Sequence, residues 1–156
     1  MTKAVLLDTS VLIHDPTSMT SFGDDTEVLI PIYVSMELDV LKDTPKREKS
    51  HVAHLARQAS NLILELQTGG EVKVVSHDGE ISIRSLDRAN QIRYVDLLIL
   101  QTAIHLKDDY DLTLVSRDIN LRIICESVGV KSDDYTSDTS MDTLSGIGLK
   151  EFVPDV

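Results

Sequence analysis

Ala4-Val5-Leu6-Leu7 is an unbroken apolar run that ends on Asp8 and continues at once into Thr9-Ser10-Val11-Leu12-Ile13. A short run with no polar alternation reads as a strand covered on both sides. The chain must then deliver Asp8 to the C-terminal end of that strand, at the turn into a helix. In open α/β sheets those strand ends form the crevice where ligands and ions collect. The remaining question is whether other carboxylates are sent to the same edge.

The rest of the chain alternates in the same way. Glu27–Ile30 is a second β-type run ended by Pro31, which suits the first position of a helix. Ile32–Lys42 carries apolar residues at helical spacing, and Asp43–Ser50 is polar, contains Pro45 and reads as an exposed loop. His51–Leu66 is the clearest amphipathic helix, with Val52, Leu55, Ala59, Leu62, Ile63 and Leu66 on one stripe, and Gly69-Gly70 ends it. Val72–Val75 and Ile81–Ile83 read as short strands joined across Asp78-Gly79. Arg84–Arg93 reads as loop. Tyr94–Leu106 is apolar nearly all round and reads as a central buried helix. Leu112–Val115 is a strand, Ile119–Ser127 a helix, and Gly129 leads into a last short strand near Val130. Strands alternating with helices predict an α/β fold with a mostly parallel sheet and helices on both faces. A domain over residues 1–135, with 136–156 as a C-terminal extension or linker, accommodates these elements.

Composition narrows the chemistry. The single cysteine, Cys125, excludes an internal disulfide and a thiolate metal cluster, and it fits a reducing cytoplasm. No apolar run reaches the roughly 20 residues of a membrane span, and no signal-peptide pattern opens the chain. With 4% aromatic residues and no Trp, aromatic platforms for stacking bases are not expected. The net charge of −11 argues against nucleic acid, since phosphate binders are usually basic. Part of that charge is local, in Asp108, Asp109 and Asp111 and in Asp133, Asp134, Asp138 and Asp142. Divalent cations at a carboxylate cluster would offset more of it.

Four acids occupy positions that topology can bring together. Asp8 follows the first strand, and Asp118 follows Leu112–Val115 in Ser116-Arg117-Asp118. Glu37 lies on the Ile32–Lys42 helix, and Asp96 lies in what reads as the first turn of the Tyr94–Leu106 helix. Right-handed crossovers place all four at the carboxyl edge of the sheet. Singly, each has a plain explanation: Asp8 and Asp118 as helix caps, Asp96 at a helix dipole, Glu37 as a surface acid. Jointly they repel one another and need cations, and Asp96 between Val95 and Leu97 is costly unless paired. Oxygen ligands without cysteine point to Mg²⁺ or Mn²⁺.

The blocks Leu7-Asp8-Thr9-Ser10-Val11-Leu12, Pro31–Lys42 with Met36-Glu37-Leu38-Asp39, Tyr94-Val95-Asp96 and Leu114–Arg122 resemble a PIN domain. Ile13-His14-Asp15-Pro16 is similar to the His-Asp-Pro ending found in the N-terminal PIN domain of PhoH-like PIN–ATPase proteins. The likeness runs from Lys3 to Tyr135. It implies a Rossmann-like three-layer fold and two-metal-type, Mg²⁺- or Mn²⁺-dependent cleavage of single-stranded RNA. It carries the family's catalytic and metal-binding acids onto Asp8, Glu37, Asp96 and Asp118. Ser10 and Ser116 match small hydroxyl positions beside the metals, and Asn120 falls where some relatives have a further acid. The likeness also implies a C-terminal ATPase partner domain, for which this chain has no GxxxxGK loop. Homo-oligomers are frequent among such proteins.

Cations for RNA are sought at Lys46, Arg93, Arg117 and Arg122, with Arg47, Lys49, Arg84 and Arg88 nearby. His51 and His54 lack a third ligand, while His14 and Cys125 read as structural. Three other functions compete with the nuclease. A haloacid-dehalogenase-type phosphatase wants a second Asp where Ser10 stands, and a receiver domain wants adjacent acids on the first strand. A catalytically silent RNA-binding module, or a toxin held by an antitoxin, would carry the same acids without turnover.

Overall fold

In the computed structural model, the apolar run becomes the central strand, β1 (Lys3–Leu7), of a five-stranded, wholly parallel sheet. The structure describes residues 1–43, 46–76 and 88–135, with backbone alone for 46–50 and 88–93. The elements follow as α1 (Thr9–His14), a 3-10 turn (Pro16–Thr20), β2 (Thr26–Pro31), α2 (Ile32–Leu41), α3 (Lys46–Thr68) and β3 (Val72–Val75). Then come α4 (Arg88–Leu106), β4 (Asp111–Val115), α5 (Ile119–Ser127) and β5 (Lys131–Asp133). The strand order is β3-β2-β1-β4-β5.

This order explains the sequence pattern. From β1 the chain winds to one edge through β2 and β3, then crosses back and winds to the other through β4 and β5. Right-handed crossovers running in opposite directions put the connecting helices on both faces, giving the three-layer α/β fold. A strand in the middle of such a sandwich meets no solvent, and Ala4, Val5, Leu6 and Leu7 are all buried. Leu29, Ile30 and Leu114 on the flanking strands are likewise fully buried and join one core with Leu98 and Ile99 of α4 and Leu121 of α5. Each such side chain contributes about 1.5–3 kcal/mol by leaving water. The reversal of winding between β1 and β4 creates a topological switch point, where side chains at the two strand ends face an open crevice.

Several local expectations are revised. Lys46–Ser50, read as loop, is the first part of α3, because a polar segment carried by a long helix needs no apolar stripe of its own. Arg88–Arg93, also read as loop, opens α4, so Asp96 stands inside that helix and not in its first turn. The Asp96 helix is not buried all round: Leu97 and Ile104 are about two-fifths exposed. Pro31 ends β2 and caps α2 from outside, one residue earlier than expected. The last strand is Lys131–Asp133, just beyond Val130. Gly69-Gly70 ends α3 as expected, with Gly70 at φ 79° and Glu71 N–H bonding back to the Leu66 carbonyl. The anticipated Ile81–Ile83 strand and Asp78-Gly79 turn lie outside the described residues.

Candidate active site

Leu7 and Val115 are register partners on β1 and β4, so Asp8 and Ser116 leave the sheet side by side at the switch point. The Asp8 amide donates to the Val115 carbonyl at 3.1 Å, which holds this junction closed. Asp8 precedes α1 in the capping position, yet its carboxylate makes no side-chain cap bond. Its Oδ2 instead accepts from Ser10 Oγ at 2.9 Å and Ser116 Oγ at 2.8 Å. Both hydroxyls are fixed from behind: Ser10 Oγ accepts from the Arg117 amide at 3.0 Å, and Ser116 Oγ from the Asp118 amide at 2.9 Å. Burial raises the Asp8 pKa, the two hydroxyls and the Thr9 backbone pull it back, and the Asp118 charge pushes it up again. Asp8 is thus a buried, oriented carboxylate for which capping is no explanation.

Glu37 reaches the same place from α2. Thr9 Oγ1 donates to its Oε1 at 2.6 Å. Burial lifts the Glu37 pKa to about 7; Thr9 opposes that rise, and the charges of Asp8 and Asp96 add to it. Asp96 is exposed as a whole residue, but its carboxyl faces the crevice and is raised to about 6 by partial burial, then by Asp8 and Asp118. Solvent exposure therefore removes the argument that Asp96 is costly because its helix is buried. Repulsion from its fellow acids remains. Asp118 does cap α5, its Oδ1 accepting from the Asn120 and Leu121 amides at 2.9 and 3.4 Å, and it also lines the crevice.

The crevice has a volume of about 420 Å³. Asp8, Thr9, Ser10, Ile13 and His14 line it from the β1–α1 segment, Glu37 and Leu41 from α2, Asp96 from α4, and Asp118 from the β4–α5 junction. All four acids expected from the sequence meet there. Ser10 and Ser116 hold Asp8, while Asn120 enters the site only through its backbone amide. Thr9, Ile13, His14 and Leu41 were not expected. Thr9 and His14 had a signal, since both belong to the short helix that begins at Asp8.

The expected RNA-binding cations are placed less simply. Arg117 Nη1 donates to the Tyr135 carbonyl at 2.8 Å, and Arg122 Nη2 lies 3.9 Å from Asp134 Oδ2. The segment after β5 therefore engages both guanidinium groups, leaving Arg122 Nε buried without a partner. The side chains of Lys46, Arg47, Lys49, Arg88 and Arg93 lie outside the described residues, as does all of Arg84. Cys125 is fully buried and its thiol is pushed up to about 11, which suits a packing role.

The donor set fits a hard divalent cation: carboxylates and hydroxyls, no thiolate, and acids raised first by burial and then by one another's charge. Among the described residues no three His, Cys, Asp or Glu side chains are already closed around one point. Mg²⁺ characteristically takes one or two carboxylates and keeps several waters, with substrate phosphate completing its shell. The open arrangement suits that habit and would not suit a closed structural site.

An open parallel sheet that gathers four acids at its switch point defines an α/β domain with an acidic crevice at its strand ends. The chain belongs to the PIN domain family, whose model matches residues 5–136. It is 29% identical over 164 aligned positions to "Protein PhoH2" of Bacillus subtilis, covering 91% of this chain and 35% of that protein. It is 30% identical over 148 positions to "Protein PhoH2" of Mycolicibacterium smegmatis, covering 85% of this chain and 32% of that protein. The chain thus spans about a third of the length of the curated relatives it matches. Among solved structures it resembles "a domain of a functionally unknown protein" from Methanocaldococcus jannaschii. That match has a TM-score of 0.60 at 18% identity and covers 86% of this chain and 92% of the other, a likeness of fold. Among the described residues no helix is long and apolar enough to cross a membrane.

Proposed function

We propose that this chain is a metal-dependent ribonuclease that hydrolyses phosphodiester bonds of single-stranded RNA. The observation that carries the reading is the convergence of Asp8, Glu37, Asp96 and Asp118 on one crevice, with three of their carboxyls raised by burial and mutual repulsion. Asp8, Asp96 and Asp118 would hold Mg²⁺ or Mn²⁺, with Glu37 directly or through water. A bound divalent ion lowers the pKa of water and offsets charge on the scissile phosphate. Asp8 presents its carboxylate in a fixed orientation because Ser10 and Ser116 leave it little rotational freedom. Glu37, held in place by Thr9, is suited to orient the attacking water and accept its proton. In-line attack leaves a 5′-phosphate and a 3′-hydroxyl. The phosphatase alternative loses ground, because the residue two beyond Asp8 is Ser10, which donates to Asp8 and carries no second carboxylate. The greater length of the PhoH2 relatives supports a partner ATPase domain working beside this one.

The test is a titration with Mg²⁺ and Mn²⁺ against single-stranded RNA and DNA, run beside Asp8→Asn. Metal-dependent cleavage of RNA that disappears in the folded Asp8→Asn variant is the expected result. Full activity in that variant would sink the assignment. Phosphate release from small monoesters would favour the phosphatase, and binding without cleavage a silent module.

A further inference from the structure

We propose that His14 is the side chain with which the crevice grips the substrate strand, by contacting a phosphate next to the one cleaved. The inference rests on reading the crevice as a phosphodiester-cleaving centre. Four of the described lining residues are carboxylates, and none is Lys or Arg. A polyanion entering such a crevice is repelled at every phosphate that does not itself face a cation. Among the described residues, a donor to such a phosphate is therefore sought in the lining. Thr9 already donates to Glu37 and Ser10 to Asp8, while Ile13 and Leu41 have no polar side-chain atom. Among the described lining residues, His14 is the remaining side chain with an N–H to offer, and the one able to carry positive charge.

Its placement fits that task. His14 is four residues beyond Ser10 on α1, so the two share a helix face and stand about 6 Å apart along the axis. Ser10 touches the central carboxylate, and His14 lines the same crevice one helical turn further on. The imidazole is exposed, has a ring contact on one side and stands near enough to act on the Asp15 carboxyl. Tyr135 packs edge-on against it with ring centroids 6.4 Å apart and planes at 74°. Tyr135 is itself pinned: it is buried, its hydroxyl donates to Asp15 Oδ2 at 2.9 Å, and Phe22 lies 6.1 Å from its ring. Arg117, whose amide donates to Ser10, also donates to the Tyr135 carbonyl.

A strand has a neighbouring phosphate and a small diester has none, so two substrates separate this role from a general defect. Parent, His14→Ala and His14→Gln are assayed with Mn²⁺ on a single-stranded oligoribonucleotide and on bis(p-nitrophenyl) phosphate. For His14→Ala the KM on the oligonucleotide rises about tenfold, and that defect exceeds the one on the small diester by a similar factor. His14→Gln, which retains an N–H donor, recovers part of the loss. Equal KM values for parent and His14→Ala, or equal losses on both substrates, overturn the proposal. Should the parent cleave neither substrate, the cleavage reading itself falls. The contact is then decided by fluorescence anisotropy of the labelled oligonucleotide in Ca²⁺, where an unchanged Kd for His14→Ala overturns it.

Discussion

Replacing Glu37 by Gln should stabilise the metal-free protein above neutral pH, although it alters a residue of the proposed active site. Glu37 releases its proton near 4.5 when unperturbed and near 7 when folded. Between those values the folded state binds more protons than the unfolded one, so stability falls as pH rises from about 4.5 to about 7. Asp8 and Asp96 shift in the same direction and steepen the decline. At about 1.4 kcal/mol per unit the Glu37 shift sets a ceiling of about 3 kcal/mol. Glu37 is not wholly buried, and relaxation leaves on the order of 1–2 kcal/mol. Gln keeps an oxygen to accept from Thr9 and carries no charge.

In EDTA the variant and parent should therefore melt together near pH 4, below the unperturbed value of Glu37, where Glu37 is protonated in both the folded and the unfolded parent. Near pH 8 the variant should melt higher by roughly 2–8 °C, given about 2–4 °C per kcal/mol for a domain of this size. Adding millimolar Mg²⁺ or Mn²⁺ should raise the parent's melting temperature more at pH 8 than at pH 5.5, and should raise the variant's less than the parent's. Circular dichroism melts across that range provide the measurement. A Glu37→Gln variant that is less stable than the parent at pH 8 in EDTA, or that keeps the parent's full pH slope, would refute the reasoning.

Asp118 has two duties that substitution should separate. Asp118→Asn keeps a good cap for α5 and should change stability by only a few tenths of a kcal/mol while weakening metal binding, as read by calorimetric titration. Asp118→Ala should lose the cap as well, at about 1 kcal/mol in chemical denaturation. Ser116→Ala removes a donor to Asp8 and leaves the Asp118 amide without its acceptor, which should cost about 1–3 kcal/mol in urea unfolding. An unchanged midpoint for Ser116→Ala would show that water replaces the hydroxyl.

The fold was legible where burial and periodicity agreed. Ala4–Leu7, Val72–Val75 and Ile119–Ser127 needed no partner information, because a fully covered strand and an amphipathic helix each write their environment into local order. Legibility failed at helix beginnings. Lys46–Ser50 and Arg88–Arg93 are polar, and nothing local distinguishes a solvated first turn of a long helix from a loop. That error propagated to Asp96, which the shorter helix had placed at a positive dipole end. Its actual position inside α4 leaves neighbouring carboxylates and partial burial as the sources of its raised pKa.

The site shows a different limit. Alternation of strands and helices was enough to send Asp8 and Asp118 to one edge, because any parallel sheet collects its strand ends there. It did not reveal which hydroxyl would hold which acid, since Thr9 and Ser10 are adjacent in sequence and serve Glu37 and Asp8 respectively. Nor did it reveal Tyr135, which lies 120 positions from its partner Asp15. These contacts settle how the repulsion among the acids is tolerated. Asp8 is held by hydroxyls anchored to backbone amides, Glu37 by Thr9, and Asp118 by its own helix. Each restraint keeps a carboxylate in place without neutralising it, so the protein fixes geometry and leaves charge uncompensated. A crevice arranged in that way gains stability from whatever brings positive charge to it. That is why metal linkage and the pH slope of Glu37 should move together, and why losing one without the other would break the argument at its root.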